Sequence, residues 1–113
     1  MTVAVVMALY NGEKYLIPQL DSIRRQTFKP TEVILQDDGS SDDTVRIARE
    51  YIQNYDLGGS WKLYQNSVNK GYIKNFYSMI EKSDSDIVFL CDQDDVWDAD
   101  KLSCAVDMLG KYD

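Results

Sequence analysis

Three features of the sequence predict an α/β fold, a mostly parallel sheet of about four strands with helices on both faces. Short apolar runs rich in β-branched residues alternate with segments whose apolar residues recur at helical spacing, in the order β-α-β-α-β-α-β-α. That alternation is the pattern of parallel strands joined by crossover helices. The first of these runs, Val3 to Leu9, is short and continuously apolar, as in a buried strand. Three of them also empty directly into polar turns, which is where an open α/β sheet carries its ligands.

Val3 to Leu9 (VAVVMAL) reads as the first strand and ends at the turn Tyr10-Asn11-Gly12. From Glu13 to Gln26, apolar Tyr15, Leu16, Leu20 and Ile23 recur at helical spacing. Pro18 restricts where that helix can begin, because proline fits only its first turn. Pro30 closes the connection, and Glu32 to Gln36 (EVILQ) is the second strand. It runs into Asp37-Asp38-Gly39-Ser40-Ser41, a turn followed by capping residues, with Ser41 and Asp43 the expected caps. Thr44 to Tyr55 is an amphipathic helix, broken by Gly58-Gly59. Trp61 to Gln65 (WKLYQ) is the third strand, and Tyr72 to Lys82 the third helix. Asp86 to Cys91 (DIVFLC) is the fourth strand, followed by Asp92-Gln93-Asp94-Asp95. Asp98 is placed to cap a last helix, Ala99 to Tyr112. No repeat, low-complexity segment or interdomain linker interrupts this order.

Composition narrows the function classes. The chain of 113 residues is one domain's worth of polypeptide, or part of a larger domain. It is 44% hydrophobic and 27% charged, the mixture of a core-forming soluble chain. No apolar run reaches the roughly 18–20 residues that span a bilayer, and the first residues lack the pattern of a secretory signal. Twelve Lys and Arg against nineteen Asp and Glu leave a net charge of -7. Without a basic cluster to neutralise phosphates, nucleic acid is excluded as a partner. Cys91 and Cys104 form neither a disulfide framework nor a zinc signature, which fits a reducing cytoplasm. Histidine is absent, so chemistry must run on carboxylates, amides, hydroxyls and backbone.

The acidity is local. Fifteen of the nineteen acidic residues are Asp, and five of these fall between Asp92 and Asp100. Asp92 and Asp94, one residue apart just beyond a strand, can share a Mg²⁺ or Mn²⁺ ion with diphosphate oxygens. Such an ion draws charge from a departing phosphate. A solvated turn is the plainer alternative, but carboxylates packed at a strand end repel one another without a cation. Asp98 and Asp100 are better read as caps. An EF-hand fails, because Val96 and Trp97 occupy positions that need an oxygen ligand and glycine. Asp38 gains weight because parallel strands bring its turn to the same sheet edge as Asp92. There its carboxylate can accept from a uracil or thymine ring N–H, or from a ribose hydroxyl. Lys74 or Asn75 can reach a phosphate from the loop after the third strand, although that stretch equally makes a plain helix start. Tyr10, Tyr72 and Trp97 can stack on a base or sugar, or simply pack. Cys91 reads as a core residue. Neither strand–helix junction carries a dinucleotide or P-loop fingerprint.

Taken together, VAVVMALYN (3–11), QTF (26–28), EVILQDDGSSDDT (32–44), Asn69-x-Gly71 and DQDD (92–95) resemble the inverting family 2 glycosyltransferases, over the whole chain and in the right order. The stretch DQDDVW is similar to the rhamnosyltransferase-like branch. The resemblance implies a GT-A fold and a nucleotide-diphosphate-sugar donor, UDP- or dTDP-linked, with a saccharide or lipid-linked acceptor. It implies Asp38 on the base, Asp92 at the ribose or metal, and Asp94 as the metal-contacting Asp of a D-x-D motif. Ala8, Tyr10 and Asn11 would line the nucleotide pocket, with Gly71 and Lys74 also on the donor. Ala8 stands where many members carry a hydroxyl, which removes one hydrogen bond.

The implied reaction is a single displacement at the anomeric carbon with inversion, in cell-surface polysaccharide synthesis. It would proceed in the cytoplasm, with peripheral attachment of the full-length protein to the inner face of the membrane one arrangement open to it. The family's catalytic base lies well past the D-x-D motif, in an acceptor-binding half, and is therefore expected beyond Asp113. Residues 1–113 are accordingly expected to be the N-terminal donor-binding part of a larger GT-A domain, inactive alone. Two alternatives remain open at this point. A nucleotidylyltransferase shares the metal and nucleotide chemistry, but wants a Gly-rich basic loop where this chain has Leu-Tyr-Asn-Gly-Glu-Lys. A non-catalytic nucleotide- or metal-binding module needs only the binding residues.

Overall fold

The computed structural model describes residues 2–92 and 95–110. Eight elements follow in the expected order: β1 (Val3–Leu9), α1 (Leu16–Arg24), β2 (Glu32–Asp37), α2 (Thr44–Asn54), β3 (Trp61–Gln65), α3 (Tyr72–Glu81), β4 (Ile87–Cys91) and α4 (Lys101–Gly110). The strands form one parallel sheet in the order β3-β2-β1-β4. Strand β1 is therefore central, with Val5 opposite Val33 on one side and Phe89 on the other. Val3 through Met7 are fully buried, which is why that run carries no polar residue.

Side chains alternate between the two faces of the sheet, and the core divides accordingly. Val5, Met7, Leu9, Val33 and Leu35 pack with Leu16, Leu20 and Ile23 of α1, Ala48 and Tyr51 of α2, and Leu102 of α4. The opposite face is smaller: Val6 and Ile34 meet Phe76 and Met79 of α3. Helices thus cover both faces, but unequally. The chain leaves edge strand β3 and must reach the far side of β1, so α3 crosses the sheet on its own. Its first turn is thereby carried over the carboxyl ends of β2 and β1.

Several boundaries move for local reasons. Helix α1 starts at Leu16, after a turn in which Tyr15 N–H donates to Gly12 O (3.1 Å). Pro18 then falls in its first turn, where a missing N–H breaks no helical bond. The expected cap Asp43 occupies the N-cap position of α2 but makes no side-chain cap bond, and pairs with Arg46 at 3.2 Å. Asp42 does the satisfying instead, its Oδ1 accepting from Thr44 N–H at 3.0 Å and Thr44 Oγ1 at 2.5 Å. Burial opposes charge on Asp42, yet these bonds and one from Glu13 N–H hold its carboxyl below the ordinary value. Ser41 is not the cap either, and its N–H donates to Asn11 Oδ1 (2.8 Å). At α4 the carbonyl of Asp98, not its carboxylate, accepts from Lys101 N–H (3.1 Å). The expected end of that helix at Tyr112 lies outside the described residues, as does the terminal Asp113. No helix among the described residues is long and apolar enough to cross a membrane.

Trp97 belongs to the core, 7% exposed, and so is not a stacking surface. Cys91 is buried, and desolvation pushes its thiol up to about 12. Cys104 is exposed, and its thiol is raised chiefly by the neighbouring Asp100 carboxylate. The thiolate is the reacting form. Iodoacetamide is therefore expected to label the folded protein at Cys104 alone, faster as pH rises, and to reach Cys91 only in denaturant. Peptide mapping that finds Cys91 alkylated in the native protein would contradict this placement.

Candidate functional site

The site is built from three turns that the parallel sheet brings to one edge. Strand β2 ends at Asp37, which is buried and holds the turn behind it. Its carboxylate accepts from Gly39 N–H (3.1 Å), Ser40 N–H (2.8 Å) and Ser40 Oγ (2.5 Å). Gly39 takes φ +91°, a backbone region open to glycine at little cost. The turn after β1 is latched to this one through Asn11, whose N–H donates to Ser40 Oγ (2.8 Å).

Asp38, one residue on, is only 5% exposed. Its Oδ1 accepts from Lys70 N–H (2.7 Å) and Asn66 Nδ2 (2.9 Å), and its Oδ2 from Gly71 N–H (2.9 Å). Its carbonyl accepts from Asn69 Nδ2 (2.9 Å). One aspartate thus folds the loop between β3 and α3 onto the end of β2. Gly71 sits at φ +88°, a conformation costly for a residue with a side chain, so the loop closes over Asp38 only with glycine there.

Between these turns lies a cavity of about 340 Å³, lined by Ala8 and Leu9 from β1, Tyr10, Asp38, Asn69 and Gly71 from the turns, and Tyr72 and Asn75 from α3. Tyr10 (47% exposed) and Tyr72 (60%) stand at its mouth. The Tyr72 hydroxyl donates to Asp92 Oδ1, linking the cavity rim to the acidic turn after β4. That bond and burial raise the Tyr72 phenol above its ordinary value.

Of the residues expected at the site, Ala8, Tyr10, Asp38 and Gly71 line this cavity. Asn11 does not, because its side chain is used as a strut to Ser41. Lys74 is exposed on α3 and outside the lining, and its neighbour Asn75 takes the inward position. Asp92 is exposed at the rim. Asp94 lies outside the described residues, and among those described no three acidic or thiol groups converge on a metal position. The position expected for the catalytic base, beyond Asp113, likewise falls outside the described residues, which end at Gly110. The donors at hand are carboxylates, without histidine or a thiolate pair. In chemical type, such oxygen donors would suit a hard cation such as Mg²⁺ or Mn²⁺.

A buried polar network behind the cavity was not expected. Gln36 Nε2 donates to Asn75 Oδ1 (2.8 Å), Asn66 Nδ2 donates to the same oxygen (2.8 Å), and Asn75 Nδ2 donates to Gln36 O (3.2 Å). Lys82 Nζ donates to Gln36 Oε1 (2.8 Å). A glutamine ending an apolar strand run was the one signal for it, since a buried amide demands partners.

The pattern of the family described as glycosyl transferase family 2 matches residues 4–113. The dTDP-rhamnosyl transferase RfbG of Shigella flexneri is 39% identical over 108 residues, which covers 91% of this chain and 36% of RfbG. The crystal structure of S. aureus TarS 1-349 in complex with UDP-GlcNAc superposes with a TM-score of 0.85 at 28% identity, over 98% of this chain and 32% of that one. The mannosyltransferase PcManGT of Pyrobaculum calidifontis, in complex with GDP-Man and Mn²⁺, superposes at 0.86 with 25% identity, over 95% and 32%. The chain spans less than two fifths of the length of the curated relatives it matches. With sequence pattern, strand order and superposition in agreement, the chain belongs to glycosyl transferase family 2 and has the GT-A fold of its structural neighbours.

Proposed function

We propose that this chain binds the nucleotide of a UDP- or dTDP-sugar for transfer, with inversion, to a hydroxyl of a saccharide or lipid-linked acceptor. The observation that carries the reading is the cavity at the carboxyl ends of β1 and β2, with the buried Asp38 carboxylate in its wall. The donors named for RfbG, TarS and PcManGT carry thymine, uracil and guanine, each with a ring N–H beside a carbonyl. A carboxylate is the natural acceptor for that N–H, and Asp38 is the one available in the lining. Tyr10 and Tyr72 offer ring faces to the base or ribose at the mouth. Asp92 serves the ribose or metal, and Asp94 the metal.

Held by Asp94 with Asp92, a divalent cation would supply positive charge that stabilises a diphosphate leaving group. The chain's own part is to hold the base and ribose so that the diphosphate lies at the acidic turn, which is positioning and electrostatic preorganisation. In this reading the base that deprotonates the acceptor hydroxyl lies beyond Asp113, and the chain alone does not turn over.

Calorimetric titration of UDP and dTDP with and without Mn²⁺ tests the proposal. Binding is expected to be metal-enhanced, and Asp94→Ala is expected to remove the enhancement while leaving metal-free binding in place. A folded protein that binds neither nucleotide would sink the reading in favour of a module with another ligand. An undiminished metal effect in Asp94→Ala would remove that residue from the metal site.

A further inference from the structure

We propose that Asn75 determines base specificity, reading the carbonyl next to the ring N–H that Asp38 accepts, and that Lys82 sets the polarity of the amides that hold it. The inference rests on the nucleotide reading above and assigns the residues that select the base.

The argument starts at Lys82, an ammonium with donors only. Its contact with Gln36 at 2.8 Å requires the glutamine oxygen there, so Gln36 Nε2 must face Asn75. Asn75 must in turn offer its oxygen, which also accepts from Asn66 at 2.8 Å. A flipped Asn75 amide would set N–H against two donors, so its orientation is dictated. Asn66 Nδ2 uses both hydrogens, on Asn75 Oδ1 and Asp38 Oδ1. Asn75 Nδ2 has two hydrogens and, among the described residues, one acceptor, Gln36 O at 3.2 Å. Asn75 is 1% exposed and lines the cavity, so one of its donors is left in a buried wall with no partner among the described residues. Asp38 Oδ2 accepts from Gly71 N–H and keeps lone-pair capacity.

An acceptor at Asp38 and a donor at Asn75 match an –NH–C(=O)– edge. Uracil, thymine and guanine present one, while cytosine and adenine present the reverse pattern. For a pyrimidine the carbonyl is C4=O. The ribose-bearing N1 must face the mouth at Tyr10 and Tyr72, and C4 is the ring position opposite N1, next to the most buried wall.

UDP and CDP differ only at this edge, so the ratio of their dissociation constants, measured by calorimetry, is the readout. The protein is expected to prefer UDP. Asn75→Asp, which keeps the shape but removes the donor, should lower the ratio about tenfold, the value of one lost hydrogen bond. The carboxylate also repels uracil O4 and accepts from the cytosine amino group, so its charge moves the ratio in the same direction. Lys82→Met, at an exposed residue outside the cavity, frees Gln36 to flip and leaves Asn66 as the one side-chain donor holding the Asn75 oxygen. It should therefore lower the ratio by a smaller factor in the same direction, even if Asn75→Asp fails to fold. Equal weakening of UDP and CDP in both variants would make Asn75 merely structural and overturn the inference. If Asp38→Asn leaves UDP binding unchanged, or the unaltered protein binds no UDP, the base reading itself fails and takes this one with it. Loss of UDP binding in Asp38→Asn with an unmoved ratio in Lys82→Met and Asn75→Asp overturns this inference alone.

Discussion

Asp38→Ala is expected to abolish measurable nucleotide binding and to destabilise the protein by about 2–4 kcal/mol. The carboxylate accepts three hydrogen bonds from the loop between β3 and α3, two of them from backbone N–H groups of Lys70 and Gly71. Alanine leaves those donors without their acceptor next to a buried position, and each charge-assisted bond lost is worth more than a neutral one. The binding loss has two sources. The acceptor for the base disappears, and Gly71, which forms part of the cavity wall, loses the carboxylate that folds it over the site, while Asn69 keeps only its bond to the carbonyl of residue 38. Urea unfolding followed by circular dichroism gives the stability change, and calorimetry with UDP gives the binding. An Asp38→Ala protein with the original midpoint and the original affinity would show that this aspartate is neither the keystone of the loop nor a ligand of the base.

Gln26→Ala is expected to cost a similar amount, about 3 kcal/mol, with no part played by the nucleotide. Gln26 is fully buried between α1 and α4. Its Nε2 donates to Ser22 O at 2.9 Å and to Asp98 O at 2.6 Å, and its Oε1 accepts from Leu102 N–H at 3.0 Å. That last bond satisfies one of the amides at the start of α4 that have no partner within the helix. Truncation orphans three backbone groups and opens a cavity beside Leu102, so two penalties add. At roughly 4–8 °C per kcal/mol for a domain near this size, the melting temperature should fall by well over 10 °C. Gln26→Glu is a sharper control, since a carboxylate keeps the volume and the acceptor but cannot donate to the two carbonyls. Hydrogen exchange at Leu102 N–H should accelerate in Gln26→Ala. Unchanged exchange and melting would mean that α4 is held by Leu102 packing alone.

Strands β1 and β2 were legible in the sequence because near-complete burial leaves little freedom of composition. Strand β3, exposed over most of its length, was legible instead from the break at Gly58-Gly59 before it and the polar loop after it. Val3–Leu9 and Trp61–Gln65 have the expected bounds, and β2 and β4 differ by one residue. Helix starts were less legible. Several adjacent Asp, Ser and Thr residues compete for each cap, and only the path of the neighbouring turn selects Asp42 over Asp43. The same held at the site. Asp38 could be singled out because it ends a strand, and strand ends in a parallel sheet share one edge. Asn11 and Lys74 had the right chemistry in the right stretch, but neither lines the cavity.

By itself, the sequence determined the α/β class, the order of its elements, the acidic strand ends and, by resemblance, the family. Those properties depend on patterns local to a few residues, or on their order along the chain. The tertiary structure alone decided which amides became part of the site. Gln36, Asn66, Asn75 and Lys82 come from a strand, a loop and the two ends of α3, and nothing in their spacing marks them as a unit. They meet because α3 crosses the sheet alone and lays its inner face against β1 and β2. A buried amide must find a partner of the right polarity, and that requirement is met in three dimensions, not along the chain.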